Sequence, residues 1–268
     1  MTRVVSGALL VALLLAVIWW LPWWVTALLG VLTAVRGGIE LAALAGSIGV
    51  PVPRAVPAAA AGTLVLAVAF SDPRGPIFVV ALLPVTLAAI ALASGLSALG
   101  AAPAGQTTFA RAGVHALAPI YLGIPIGLLV GIHLAQGPAM LTWLLLVIAV
   151  SDSAQYYTGR LLGRRPLAPV ISPAKTVEGA LGGLVVSAIA GAAAAPYLLP
   201  GARVSTAAGV AILVALAGMA GDLFESLLKR SAGVKDSASV IPGHGGVLDR
   251  IDSYLFAAPM FYLLILVA

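Results

Sequence analysis

The sequence predicts an all-α, polytopic integral membrane protein with about nine transmembrane helices. Hydrophobic residues fill 62% of the 268 positions and charged residues only 9%, with a mean hydropathy of +1.13. A soluble domain carries roughly 25% charged residues, so this chain has too few to cover a water-facing surface. Apolar runs of about 20 residues recur along the whole length, enough for a helix to cross the hydrocarbon core. Only helices and closed barrels satisfy their own backbone there. The thirty glycines and eighteen prolines fit this class, since both are common in membrane helices. Cysteine is absent, which excludes disulfides, thiolate metal sites and thiol nucleophiles. Fourteen basic and nine acidic residues leave +5, too few and too scattered for a nucleic-acid surface.

Each element can be justified in order. Val4–Leu21 follows Met1-Thr2-Arg3 and outruns the apolar core of a secretory signal. It leads into Trp19, Trp20, Trp23 and Trp24 rather than a small-residue cleavage site. We read it as a retained first span, the tryptophans forming an interfacial belt around Pro22; stacking on a cofactor is the lesser alternative. The second span, Trp23–Gly46, carries Arg36 and Glu40, whose i,i+4 spacing suits a pair on a helix end that projects into water. Val56–Phe70, Pro76–Gly95, Gly113–Leu134, Pro138–Tyr157, Thr176–Pro196, Thr206–Leu228 and Ile251–Val267 complete the nine. Pro51-Val52-Pro53, Asp72-Pro73-Arg74 and Ala102-Pro103-Ala104-Gly105 read as turns. Residues 1–137 then form an N-terminal, lipid-facing scaffold, and residues 138–268 carry the chemistry.

Charge segregation supports that count. With the N-terminus in the cytoplasm, twelve basic residues fall on the cytoplasmic side: Arg3, Arg36, Arg54, Arg111, Arg160, Arg164, Arg165, Lys175, Lys229, Arg230, Lys235 and Arg250. Only Arg74 and Arg203 fall outside, as the positive-inside rule requires. The C-terminus is then expected outside the cell.

The acidic residues are more telling. Seven of nine lie between Asp152 and Asp252. An ionisable group at mid-bilayer costs roughly 2.5–3.5 kcal/mol or more, so such a cluster implies a hydrated cavity or an interface. Asp222, Glu225, Ser226 and Lys229 fall at i, i+3, i+4 and i+7, on one helical face. Asp249 and Asp252 open the last span at i,i+3. Carboxylates from two helix ends suit Mg²⁺, which takes oxygen ligands and keeps waters and substrate phosphates in its shell. Structural ion pairs with Lys229, Arg230 and Arg250 are the competing reading. Between the helices, Pro242-Gly243-His244-Gly245-Gly246 offers backbone amides unobstructed by side chains, suited to an anion. His244 fits a general acid or base, a phosphate donor or a turn-packing residue equally well. In Ser172-Pro173-Ala174-Lys175-Thr176-Val177-Glu178-Gly179, Ser172 reads as an N-cap with Pro173 at the first helical position. A helix start there would favour phosphate near Lys175 and Thr176. Asp152 ends an apolar run and is a further candidate, whereas His115 and His133 are assigned to packing. Gly159 and Gly163, like Gly179 and Gly183, have the spacing that allows close helix approach.

From Ser226 through Lys229-Arg230, Lys235-Asp236, Pro242-Gly243-His244-Gly245-Gly246 and Asp249-Arg250 to Asp252, the segment resembles the defining motif of the phosphatidate cytidylyltransferase (CDP-diacylglycerol synthase) family. Gly221-Asp222-Leu223-Phe224-Glu225-Ser226, the Ser151-Asp152 region and the Ser172-to-Gly179 loop add to it. One position departs: family members commonly carry two lysines before the threonine of the Ser-Pro loop, and here the first is Ala174. The resemblance implies that CTP and phosphatidic acid react to give CDP-diacylglycerol and pyrophosphate. It implies Asp222 and Asp249 as ligands of Mg²⁺, with K⁺ as the second cation. Catalytic roles would fall to these two and to Lys229, Arg230, Lys235, Asp236, His244, Arg250 and Asp252. Substrate contacts would come from Asp152, Ser172, Lys175, Thr176, Glu178, Glu225, Ser226, Gly243, Gly245 and Gly246. A homodimer among membrane lipids, in the plasma membrane with its site facing the cytoplasm, is the implied setting. The chief rival is a cation- or proton-coupled transporter, which predicts charges near mid-membrane and access from both sides. The spaced aspartates of a CDP-alcohol phosphotransferase are not found, and a scaffold has no need of paired carboxylates beside a glycine loop.

Overall fold

A computed structural model describes residues 2–69, 107–238 and 245–267. Its elements are α1 (Thr2–Trp20), α2 (Trp23–Ser47), α3 (Ala55–Ala69), α4 (Thr108–Ala118), a π-helical turn at Pro119–Gly123, and α5 (Ile124–Leu162). There follow strands β1 (Pro166–Ala168) and β2 (Ser172–Thr176), then α6 (Val177–Leu198), α7 (Val204–Ser231) and α8 (Leu248–Val267). The chain is an all-α membrane protein, with one short hairpin among the described residues. Among the described residues five helical stretches are long and apolar enough to cross a membrane, and two shorter apolar helices cover Leu9–Trp20 and Ala55–Ala67. The expected span Pro76–Gly95, the turns at 72–74 and 102–105, and the loop residues Pro242, Gly243 and His244 lie outside the described residues.

One of the five stretches, Thr108–Leu162, is 55 residues long, and Gly137 breaks it with φ 84° and ψ 176°. That left-handed φ is open to glycine and strained for other residues, and Pro138 starts the next helical segment without a donor to lose. The break falls between the spans expected to end at Leu134 and to begin at Pro138.

The hairpin corrects the expectation for the Ser-Pro loop. Ser172–Thr176 is a strand, paired antiparallel with Pro166–Ala168, rather than a helix start. The N-cap of α6 is Thr176, in an extended conformation (φ −121°, ψ 154°), and its Oγ1 accepts from the Gly179 N–H at 3.1 Å. A β-branched residue suits the strand it ends, and its hydroxyl then satisfies one of the orphan donors at the helix start. Ser172 therefore caps nothing here.

The chain divides into two compact units, Met1–Ala135 with Ser231–Arg250, and Gln136–Arg230 with Ile251–Ala268. In the first, small residues let α2 and α3 approach closely: a Cβ on Gly38 would lie 2.7 Å from the Ala58 Cα. Leu41, Leu64, Val65 and Leu122 are buried in this unit. In the second, Trp143 is fully buried, its indole N–H donates to the Gly191 carbonyl at 3.0 Å, and it stacks on Phe261. The expected glycine contact between α5 and α6 is present. A Cβ on Gly179 would lie 2.8 Å from the Gln155 carbonyl oxygen and 3.1 Å from the Gly159 Cα. His115 and His133 are buried, as packing residues should be.

Candidate active site: two carboxylate clusters

The second unit gathers Asp152, Asp222, Glu225 and Asp252 with Lys175 and Lys229. On α7 the predicted polar face turns inward: Glu225, Ser226 and Lys229 are buried, while Leu227 on the opposite side is exposed. This inverts the soluble amphipathic pattern, as expected where the outer solvent is lipid. Lys229 Nζ lies 2.7 Å from Glu225 Oε2, so the structural pairing weighed from sequence is present. Lys175 Nζ forms an ion pair with Asp222 Oδ2. Asp152 accepts from Gln155 Nε2 at 3.2 Å and feels the charges of Asp222 and Lys175. Asp252 feels Asp222 and Glu225, and its carboxyl stands within hydrogen-bond distance of the Glu225 carboxyl. The Ser253 N–H donates to Asp252 Oδ1 at 2.7 Å.

The hairpin delivers Lys175 to this cluster. Glu178 Oε2 accepts from the Arg164 and Arg165 backbone N–H groups at 3.0 and 3.1 Å, and Oε1 pairs with Arg165 Nε at 3.0 Å. Glu178 and Thr176 thus fasten the strand that carries Lys175, and Arg230 Nε donates to the Ile171 carbonyl in the turn before it, at 3.3 Å.

Among the described residues, four neighbouring carboxyl groups and two lysines gather here, an acid-rich set of oxygen donors that fits a hard cation. Among the described residues, no three His, Asp or Glu side chains form a ready-made cage.

The first unit holds the other cluster, around Asp249 in the first turn of α8. Its Oδ2 accepts from the Gly246 N–H at 2.7 Å, the Ser237 N–H at 3.0 Å and lies 3.0 Å from Ser237 Oγ. Beside it is Glu40, which is 1% exposed. The pairing with Arg36 is as expected, at 3.2 Å, but Glu40 does not project into water. Its Oε1 also accepts from the Val247 N–H at 3.0 Å, and its Oε2 from the Leu248 N–H at 3.0 Å and Ser237 Oγ at 2.9 Å. These partners make burial of a carboxylate tolerable.

Of the loop glycines, Gly245 has φ +77°, and a Cβ there would lie 2.7 Å from Asp249 Oδ2. The Gly246 amide, expected to face an anionic ligand, is used instead by the protein's own Asp249. Lys235, Asp236 and Arg250 are exposed. Sequence reasoning missed Glu40 and Ser237. A lone acid inside the apolar run of α2 was a signal, since such a residue must find donors; nothing in the sequence marked Ser237. A separate groove of about 670 Å³ in the first unit is lined by Ser47, Arg54, Arg111 and small apolar residues, with no carboxylate on its wall.

The profile of the cytidylyltransferase family matches residues 1–268. A phosphatidate cytidylyltransferase of Helicobacter pylori is 43% identical over 139 residues, 52% of this chain and 52% of that protein. Another of that name, from Staphylococcus aureus, is 39% identical over 132 residues, 49% of this chain and 51% of its own. An uncharacterized protein of Escherichia coli, YnbB, is 44% identical over 128 residues, covering 47% and 43%. The chain spans about half the length of the curated relatives it matches. With a family profile covering every residue, the chain belongs to the cytidylyltransferase family.

Proposed function

We propose that this protein transfers a cytidylyl group from CTP to phosphatidic acid, giving CDP-diacylglycerol and pyrophosphate. The observation that carries the reading is the inward-facing cluster of Asp152, Asp222, Glu225 and Asp252 with Lys175 and Lys229, in a family member whose relatives bear the name of that activity. A phosphatidate oxygen attacks the α-phosphorus of CTP, the bond to the β-phosphate breaks, and pyrophosphate leaves with the electron pair. Phosphate is already anionic at neutral pH, so no general base is required. Both substrates are polyanions that repel each other, and the protein's task is chiefly positioning and charge neutralisation.

Mg²⁺, and K⁺ as second cation, would supply positive charge to the triphosphate, with Asp222 and Asp249 as the protein ligands. The ion pair with Asp222 keeps the Lys175 ammonium in the cluster, where it can meet a phosphate oxygen. Lys229 balances Glu225 from the same helix. Arg230, Lys235 and Arg250 add positive charge for the approaching nucleotide. The diacyl substrate stays in the bilayer while CTP arrives from the cytoplasm. The arrangement proposed is nine spans in the plasma membrane, N-terminus inside and C-terminus outside, working as a homodimer; charge segregation and the family resemblance support it.

Purified protein given labelled CTP and phosphatidic acid should form CDP-diacylglycerol with Mg²⁺ and none with chelator. Labelled product with another lipid acceptor but not phosphatidic acid would overturn the substrate assignment.

A further inference from the structure

Glu40 spends a buried negative charge on contacts that α8 would ordinarily make for itself. Val247 and Leu248 supply amides at the start of that helix, where N–H groups have no intrahelical partner. A local Ser, Thr, Asp or Asn cap is the usual solution. Here the carboxylate comes from α2, more than 200 residues away in sequence, and it takes both amides, one on each oxygen. Ser237 links it to Asp249. Its hydroxyl lies 2.9 Å from Glu40 Oε2 and 3.0 Å from Asp249 Oδ2, while its backbone N–H also donates to Asp249. The space is closed by Gly246, where a Cβ would lie 2.5 Å from Glu40 Oε2 and closer still to the Ser237 hydroxyl.

A simple packing role accounts for this poorly. One neutral cap would satisfy the helix start without burying a charge, whereas Glu40 contacts both residues flanking Asp249 on its N-terminal side and the serine that binds it. We propose that Glu40 is a positioning residue for Asp249. It holds the 246–248 turn and, through Ser237, sets the rotamer in which the Asp249 carboxylate meets its cation. The proposal rests on the reading of Asp249 as a metal ligand, and it adds a residue from the N-terminal half of the chain to the working parts of the site. Partners that orient metal ligands in this way are worth about 10–100-fold in metal affinity.

The test uses full-length protein in detergent, with Mn²⁺ as probe, its binding followed by electron paramagnetic resonance, alongside the Mg²⁺ dependence of turnover and thermal unfolding. Glu40→Gln keeps the size but opposes an N–H₂ to donors that now meet an oxygen. We expect Mn²⁺ binding to weaken by about 10-fold or more, the half-saturating Mg²⁺ concentration to rise in parallel, and the KM for CTP at saturating Mg²⁺ to change little. Ser237→Ala, which retains the backbone bond to Asp249, should move the same quantities in the same direction by a smaller factor. A folded Glu40→Gln with wild-type Mn²⁺ affinity and Mg²⁺ dependence would overturn the proposal. If that variant does not fold, unaltered metal binding in Ser237→Ala does so instead. Asp249→Asn separates the two levels: if it binds Mn²⁺ as the wild type does, the metal reading itself fails, whereas loss there with normal binding in Glu40→Gln defeats only the positioning role.

Discussion

The two carboxylate clusters are built on opposite principles. Around Glu40 and Asp249, backbone amides, a serine and an arginine are aimed at the acidic oxygens, so these carboxylates are held by donors within the first unit. Around Asp152, Asp222, Glu225 and Asp252, carboxyl groups neighbour one another, and among the described residues two lysines accompany the four acids. A cluster whose donors match its acceptors stores geometry, and removing a member should damage the fold or the aim of its neighbour. An acid-rich cluster stores affinity for cations, and removing Asp222 from it should damage function while relieving repulsion.

The largest expected effect tests the second half of that contrast. Asp222→Asn should lower turnover by on the order of 1,000-fold, about 4 kcal/mol of lost transition-state charge stabilisation. Its melting temperature should match the wild type or exceed it. The ion pair it loses, with Lys175, is offset by relief of the repulsion between Asp222 and its neighbours Asp152 and Asp252. Rate measurements paired with thermal unfolding check this, and a strongly destabilised Asp222→Asn would erase the distinction between the clusters.

Next in size is the buried pair inside the same cluster. Lys229→Ala leaves Glu225, which is 0% exposed, without its ammonium partner. Removing one member of a buried pair costs about 3–5 kcal/mol. The double variant Glu225→Gln with Lys229→Met, which removes both charges together, should regain most of that loss. Unfolding of Glu225→Gln, Lys229→Met and the double variant in one detergent gives the coupling directly. If Lys229→Ala is no less stable than the double variant, the pair is not the balancing element that its 2.7 Å contact indicates.

These contrasts also show what was legible in the sequence. Membrane class and helical content follow from composition and run length, because hydrocarbon leaves the backbone few choices. The inward face of α7 was readable because i, i+3, i+4 and i+7 spacing is a property of the helix itself. The Ser172–Thr176 hairpin was not. Ser-Pro at a helix start and Ser-Pro in a strand look alike until Pro166–Ala168 pairs with it, and pairing is a non-local fact. Glu40 was misplaced for a related reason. The i,i+4 relation to Arg36 is local and correct, while the amides that bury it come from the far end of the chain. The loop glycines invited a ligand reading because they free backbone donors, but sequence does not say which acceptor claims them.

That last ambiguity yields the smallest effect and the sharpest check on the first cluster. Gly246 shows no left-handed φ, so its requirement for glycine is spatial. An added methyl must displace the Ser237 hydroxyl or the Glu40 carboxylate, and both are held by other bonds. Forcing an extra carbon into a closed space of this kind costs about 2 kcal/mol. Gly246→Ala should therefore lower the melting temperature modestly. If the glycine serves this internal network, adding Ser237→Ala, which vacates the space its hydroxyl fills, should restore part of the lost stability. If the glycine exists to let a phosphate approach, Gly246→Ala would instead raise the KM for CTP with stability unchanged. The two variants, unfolded side by side and titrated with CTP, separate a cluster that holds its own carboxylates from one that awaits a ligand.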